Sequence, residues 1–170
     1  MNNQAMLLSA DEQDMLLAQL QQRRQFFAGA LPKLAEADGR NDVKNLPNTC
    51  PGCGYPTLPE RDGYFICEIC YWEDDGQDDF AADEVWGGPN GHASLTSWRL
   101  EFGALLKQLT QAPQLHDKLE MLLHRALQKL IQIEQQCLNS VELGPLEDFL
   151  AQIKLVETCF QEWRSPADQG

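Results

Sequence analysis

Cys50-Pro-Gly-Cys53 and Cys67-Glu-Ile-Cys70 form two C-x2-C pairs separated by 13 residues. A tight turn of this kind aims two sulfurs at one point, and two such turns make a tetrahedral thiolate cage. Four soft ligands leave no open coordination position. Cys50, Cys53, Cys67 and Cys70 therefore predict one structural Zn2+, with iron as the alternative metal. A thioredoxin-like dithiol fits less well, because Pro51-Gly52 does not continue into a helical pattern. The spacer GYPTLPERDGYFI carries a turn signal at Asp62-Gly63 followed by Tyr64, Phe65 and Ile66. It predicts a β-hairpin that brings the second pair beside the first, as in a zinc ribbon.

Catalytic constellations are missing from the sequence. A zinc deaminase needs a His-x-Glu upstream of its C-x2-C pair, whereas His92, His116 and His124 all lie downstream. No Gly-rich phosphate loop, H-E-x-x-H or G-x-S-x-G appears. His116 and His124 lack a Glu or Cys companion at metal-site spacing and read as surface or satisfied core histidines. Cys137 and Cys159 read as buried free thiols. The expectation is a protein that is not an enzyme.

After the second pair come seven carboxylates in twelve residues, Glu73, Asp74, Asp75, Asp78, Asp79, Asp83 and Glu84, bracketed by Trp72 and Trp86. An EF-hand register counted back from Gly76 puts Tyr71 at the first ligand position, which disfavours calcium. Two readings stay open. The acids can be a loop whose Asp side chains cap local N–H groups, or, with both tryptophans, a recognition surface for a basic partner. Gly87-Gly88-Pro89-Asn90-Gly91 then reads as a multiple turn returning the chain to a helix at Ser94.

The flanking elements must position this chemistry. Ser9 with Glu12 is a capping-box pattern, and Leu16, Leu20, Phe27 and Leu31 follow at helical spacing until Pro32 kinks or ends the helix before Asp38-Gly39. Trp98, Phe102, Leu105, Leu106 and Leu109 share one helical face. Pro113 suits the first turn of a longer helix with Leu115, Leu119, Leu122, Leu123, Ala126, Leu130 and Ile133 on one side. Gly144-Pro145 starts another, with Glu147 and Asp148 near its N-terminus and Phe149, Ile153, Val156, Phe160 and Trp163 along it. The predicted fold is mainly α, a helical bundle with an inserted small four-cysteine zinc-ribbon-like β-hairpin module. Its predicted divisions are 1–45, an N-terminal helical segment; 46–95, the cysteine-rich module with its acidic loop; and 96–170, about three C-terminal helices.

With 26 acidic against 13 basic side chains in 170 residues, the formal net charge is -13. Residues 46–100 hold ten acids and two cations, Arg61 and Arg99, too few for a phosphate track. Free nucleic acid and anionic membrane are poor partners on that ground. The stretch MNNQAMLLSADEQ has neither the basic flank nor the apolar length of a signal peptide, so the expected location is cytoplasmic.

CPGCGYPTLPERDGYFICEICYWEDDGQDD, followed by GGPNG and SLT, resembles the bacterial cysteine-rich CPCC family from Cys50 to roughly Arg99. The sequence departs at Gly52, where that family's name motif has an additional Cys. The resemblance implies a small metal-binding module and does not cover the helical flanks. Size, acidity and a metal-stapled loop together predict a protein-interaction module, specifically an immunity or antitoxin-type inhibitor of a basic bacterial toxin domain. The alternatives are a zinc-ribbon regulatory or nucleic-acid-associated protein, and a redox protein using one C-x2-C pair.

Overall fold

Ser9 and Glu12 close the capping box that their spacing predicts. Glu12 N donates to Ser9 Oγ at 3.3 Å, and Ser9 N donates to the Glu12 carboxylate at 3.0 Å. The helix that follows, α1, spans Ala10–Ala37 in a computed structural model that describes residues 8–37, 47–111, 118–139 and 144–164. It buries Leu20, Phe27 and Leu31, while Leu16 is half-buried. The stop that Pro32 can impose does not occur, and α1 continues through it to Ala37. One ladder hydrogen bond is forfeited only a turn and a half from the helix end, beside the buried Leu31 that anchors that turn.

By compactness the chain divides into two units, Met1–Leu105 and Leu106–Gly170. The first holds α1, two short strands, two 3-10 turns and most of α2 (Leu95–Gln111). Strand β1 (Asn48–Thr49) pairs antiparallel with β2 (Pro56–Leu58), with Asn48 opposite Leu58 and Thr49 opposite Pro56. The predicted hairpin is thus present but lies elsewhere. Its turn is the first cysteine pair itself rather than Asp62-Gly63. An isolated bridge between Ile66 and Glu73 encloses the second pair in the same way. The core of this unit is the sulfur cluster together with Tyr55, Leu58, Ile69, Trp72 and Leu95, backed by Leu20 and Phe27 of α1.

Helix α2 starts where Ser94 Oγ accepts from Ser97 N at 3.1 Å, an N-cap reached from the glycine-rich turn. Gly87, Gly88 and Gly91 in that turn all have positive φ. A Cβ at Gly103 would lie 3.2 Å from the Leu16 side chain, so α1 and α2 approach closely there.

The second unit pairs α3 (Lys118–Asn139) with α4 (Gly144–Arg164). Ala126, Leu127, Leu130 and Ile133 are buried on one helix and Phe149, Ile153 and Val156 on the other, as their periodicity predicts. Buried Gln152 donates from Nε2 to the Ala126 carbonyl at 2.9 Å, which ties the two helices. Asp38-Gly39, Pro113, Leu115 and His116 lie outside the described residues, as do the side chains of Leu109, Leu119, Leu122, Leu123, His124, Cys137, Glu147, Phe160 and Trp163. Cys159 is half-buried and forms no disulfide. Among the described residues, four α-helices with a two-strand antiparallel hairpin and a cysteine cluster make the protein mainly helical, in agreement with the predicted fold class. Among the described residues, no helix is long and apolar enough to cross a membrane.

Candidate metal centre

The two C-x2-C turns are near copies of one another at the backbone. Gly54 N donates to Cys50 O at 2.8 Å and Tyr71 N to Cys67 O at 2.7 Å. Cys50 N donates to Tyr55 O at 2.8 Å and Cys67 N to Trp72 O at 2.9 Å. Backbone N–H groups also approach sulfur, with Gly52 N 3.3 Å from Cys50 Sγ and Cys70 N 3.5 Å from Cys67 Sγ. In each knuckle the residue after the second Cys is left-handed, at φ 78° for Gly54 and 64° for Tyr71. That conformation costs a non-glycine residue roughly 1–2 kcal/mol, which the second knuckle bears and the first avoids.

The four sulfurs are fully buried, and they lie within 4.8 Å of one another. Cys50 to Cys70 and Cys53 to Cys67 are each 3.6 Å apart. A tetrahedral zinc with bonds of about 2.3 Å sets its sulfurs about 3.8 Å apart, whereas a disulfide needs about 2.05 Å. The donor set and spacing therefore fit one tetrahedral metal ion. Burial pushes the Cys53 and Cys70 thiols well up, reinforced by hydrogen bonds among the sulfurs. At Cys67 burial acts the same way but is outweighed by hydrogen bonds from Cys50, Cys53 and Cys70, which hold it well down. Four thiolates in so dry a site require a cation beside them.

The first knuckle is held from both α1 and α2, and the second from α2. On α1, Arg23 donates to Cys53 O at 2.8 Å and sets its guanidinium 4.2 Å from the centre of the Tyr55 ring. A Cβ at Gly54 would meet Leu20 Cδ1 at 3.0 Å, so α1 packs onto the bare glycine. From α2, Arg99 donates to Pro51 O at 2.9 Å. The second knuckle is held by aromatics instead. Trp98 Nε1 donates to Cys70 O at 3.1 Å, and its ring meets Trp72 edge-on with centroids 5.6 Å apart. Trp72 is fully buried, and its indole N–H has no hydrogen-bond partner among the described residues. A Cβ at Gly52 would press within 3.1 Å of Trp72 Cβ and 3.2 Å of Cys70 Sγ. Thr57 Oγ1 lies 3.0 Å from Cys67 Sγ, where the hydroxyl can donate to a thiolate and orient it.

The acidic loop is mostly turned inward. Fully buried Asp74 pairs with Arg61 Nε at 2.8 Å and accepts from Asp62 N at 2.9 Å. Asp78 binds Arg24 at 2.7 Å and Arg61 at 3.0 Å. Asp79 binds Arg24 at 2.8 Å and buried Arg99 at 2.7 Å. Burial alone would raise both aspartates, but the arginines hold them below the ordinary carboxylate value. Asp75 accepts from Gln77 N, and Asn90 clasps Glu73 through its backbone N–H and carbonyl. Trp72 and Asp74 are thus corrected as partner residues, since at 0% exposure neither reaches the surface. Asp78 and Asp79 spend their charge on α1, α2 and Arg61. Glu73 and Asp75 are half-buried, and Asp79, Asp83, Glu84 and Trp86 are exposed. The capping reading describes the inner acids best.

Arg24, Arg61, Arg99 and Asn90, which organise this loop, were not among the residues singled out as a site. Ten acids against two cations in residues 46–100 is the signal that could have found Arg61 and Arg99, since a buried carboxylate needs its counterion.

Residues 48–114 match the family described as Cysteine-rich CPCC. The match reaches past the residues that carry the sequence resemblance and takes in all of α2, the helix whose Trp98 and Arg99 hold the two knuckles. No curated protein and no solved structure matches the chain.

Proposed function

We propose that the protein is a non-catalytic zinc-binding interaction protein that acts as an immunity or antitoxin-type inhibitor, occupying the basic cleft of a bacterial toxin domain. The observation that carries the zinc assignment is the buried set of four sulfurs at tetrahedral spacing. A closed four-sulfur site offers no position for substrate, so its role is to brace the fold. Zinc is favoured over iron as the ordinary occupant of a structural four-cysteine cage. The inhibitory role is supported by the charge of -13 and by large apolar side chains exposed among carboxylates in residues 60–86. Such a surface steers toward a cationic protein and gives it an apolar anchor.

Co-expression with the toxin product of an adjacent gene tests the role. A stable complex and restored growth are expected. Undiminished growth inhibition by every neighbouring toxin would overturn it.

A further inference from the structure

The second knuckle presents an apolar face that the metal cage does not use. Tyr64, Phe65, Ile66 and Tyr71 are 63%, 39%, 51% and 37% exposed. The first three directly precede Cys67 and the fourth directly follows Cys70. Hydrogen bonds from Tyr64 N to Asp74 O and from Asp74 N to Phe65 O fold the segment back on itself. Four large apolar side chains exposed within eight residues, on a segment closed by the Ile66–Glu73 bridge, are the kind of surface that marks an interaction site. The backbone adds to the case, because Tyr64 and Tyr71 sit at φ 58° and 64°. The Tyr64 ring, the most exposed of the four, recovers little of that strain by packing, a pattern that clusters at binding sites.

The other exposed aromatic pair differs in both respects. Phe80 and Trp86 pack on each other with centroids 6.1 Å apart, the Trp86 indole donates to Glu84 at 3.1 Å, and neither has positive φ.

Charge selects the occupant of the knuckle face. Its edge carries Glu60, Asp62 and Glu68, all exposed, and half-buried Glu73. A Cβ at Gly63 would lie 2.8 Å from Glu60 Oε1 and 2.9 Å from the Phe65 ring, so a carboxylate and an aromatic face converge on one spot. The one cation in residues 58–73 is Arg61, already engaged by Asp74 and Asp78. An aromatic surface edged by carboxylates complements arginine or lysine, whose charge can lie over a ring and pair with an acid at its rim. We infer that the face formed by Tyr64, Phe65, Ile66 and Tyr71 is the docking surface for a basic segment of a partner protein. The cationic side chain crosses Tyr64 and Phe65, and its charge meets Glu60, whose carboxylate converges with the Phe65 ring. This rests on the reading of the chain as a protein-binding module and names the face that does the binding.

The test titrates a short synthetic peptide of alternating arginine and leucine into the zinc-loaded full chain at about 150 mM salt, where steering by distant charges is screened. Amide NMR shifts and titration calorimetry are the readouts. Saturable binding is expected, with shifts centred on Tyr64–Ile66 and Tyr71. Tyr64→Gly combined with Phe65→Ser should weaken it by at least about tenfold. Tyr64→Gly alone should hold or raise thermal stability, because it releases the left-handed backbone, which separates binding from a structural role. Ile66→Ser replaces the double variant should that variant lose its metal, and is expected to weaken binding as well. The control Phe80→Ser with Trp86→Ser should leave affinity within about twofold. Shifts centred on residues 78–86, or equal losses in both variants, would overturn the assignment of the face while leaving the protein-binding reading intact. Absence of saturable binding would overturn the inference, while the inhibitor reading stands or falls by the growth test. Self-association abolished by the Tyr64 and Phe65 substitutions would assign the face to a second copy, and tighter binding of a single-stranded oligonucleotide would assign it to nucleic acid; either result overturns the inference.

Discussion

The two knuckles share a backbone and differ in what holds them. In residues 50–55 a glycine takes the left-handed position, α1 lies directly on it, and two arginines cap the carbonyls of Pro51 and Cys53. In residues 67–72 a tyrosine takes that position at an energetic cost, and a tryptophan pair supplies the support. The first is buried on every side, while the second has exposed residues on both flanks. Identical turn geometry thus serves two purposes. One knuckle joins the metal to the helices, and the other offers a rigid surface to solvent.

The largest expected effect treats the knuckles as equals. Cys50→Ser and Cys67→Ser should each release the metal and unfold the cysteine-rich segment, since metal binding supplies on the order of 10 kcal/mol of folding free energy in small zinc domains. Metal content and thermal unfolding read this directly, and loss from only one of the two variants would break the equivalence.

Next come the separate supports. Arg99→Ala uncaps Pro51 O and removes one of the two arginines on Asp79, which Arg24 still holds, so the charged hydrogen bond to the carbonyl dominates the cost, about 2 kcal/mol. Trp98→Phe keeps an aromatic edge on Trp72 but loses the bond to Cys70 O, worth about 1 kcal/mol. Denaturant unfolding of the metal-loaded protein should rank the two in that order, and the reverse order would mean that the tryptophan pair dominates.

The smallest pair of changes has opposite signs. Gly54→Ala should destabilise by about 1–2 kcal/mol, because a Cβ strains the left-handed backbone and meets Leu20. Tyr71→Gly should be neutral or stabilise by up to about 1 kcal/mol as strain is released. Equal losses at both positions would show that the tyrosine ring, and not the backbone, sets the balance at the second knuckle.

The cysteine spacing, the helical faces and the Ser9 cap were legible in sequence because each is a local rule with a short period. Hairpin placement was not. Asp62-Gly63 looked like its turn, yet the C-x2-C segments are themselves the turns, since the bonds that close them run from residues 54 and 71 back to 50 and 67. The acidic loop misled for a different reason. Its sequence shows seven carboxylates but not their partners, and Arg24 reaches Asp78 and Asp79 from a helix more than fifty positions earlier. Asp74 shows the consequence, because it reads as a surface charge and is a buried counterion. Replacing Asp74, Asp75, Asp78 and Asp79 together by Asn should therefore lower stability rather than only slow association.

The most direct measurement is X-ray absorption at the metal edge of the purified full chain, combined with metal analysis. One zinc per chain surrounded by four sulfurs at about 2.3 Å is the predicted result. A substoichiometric metal, or a shell with fewer than four sulfurs and added nitrogen or oxygen, would contradict the closed structural site.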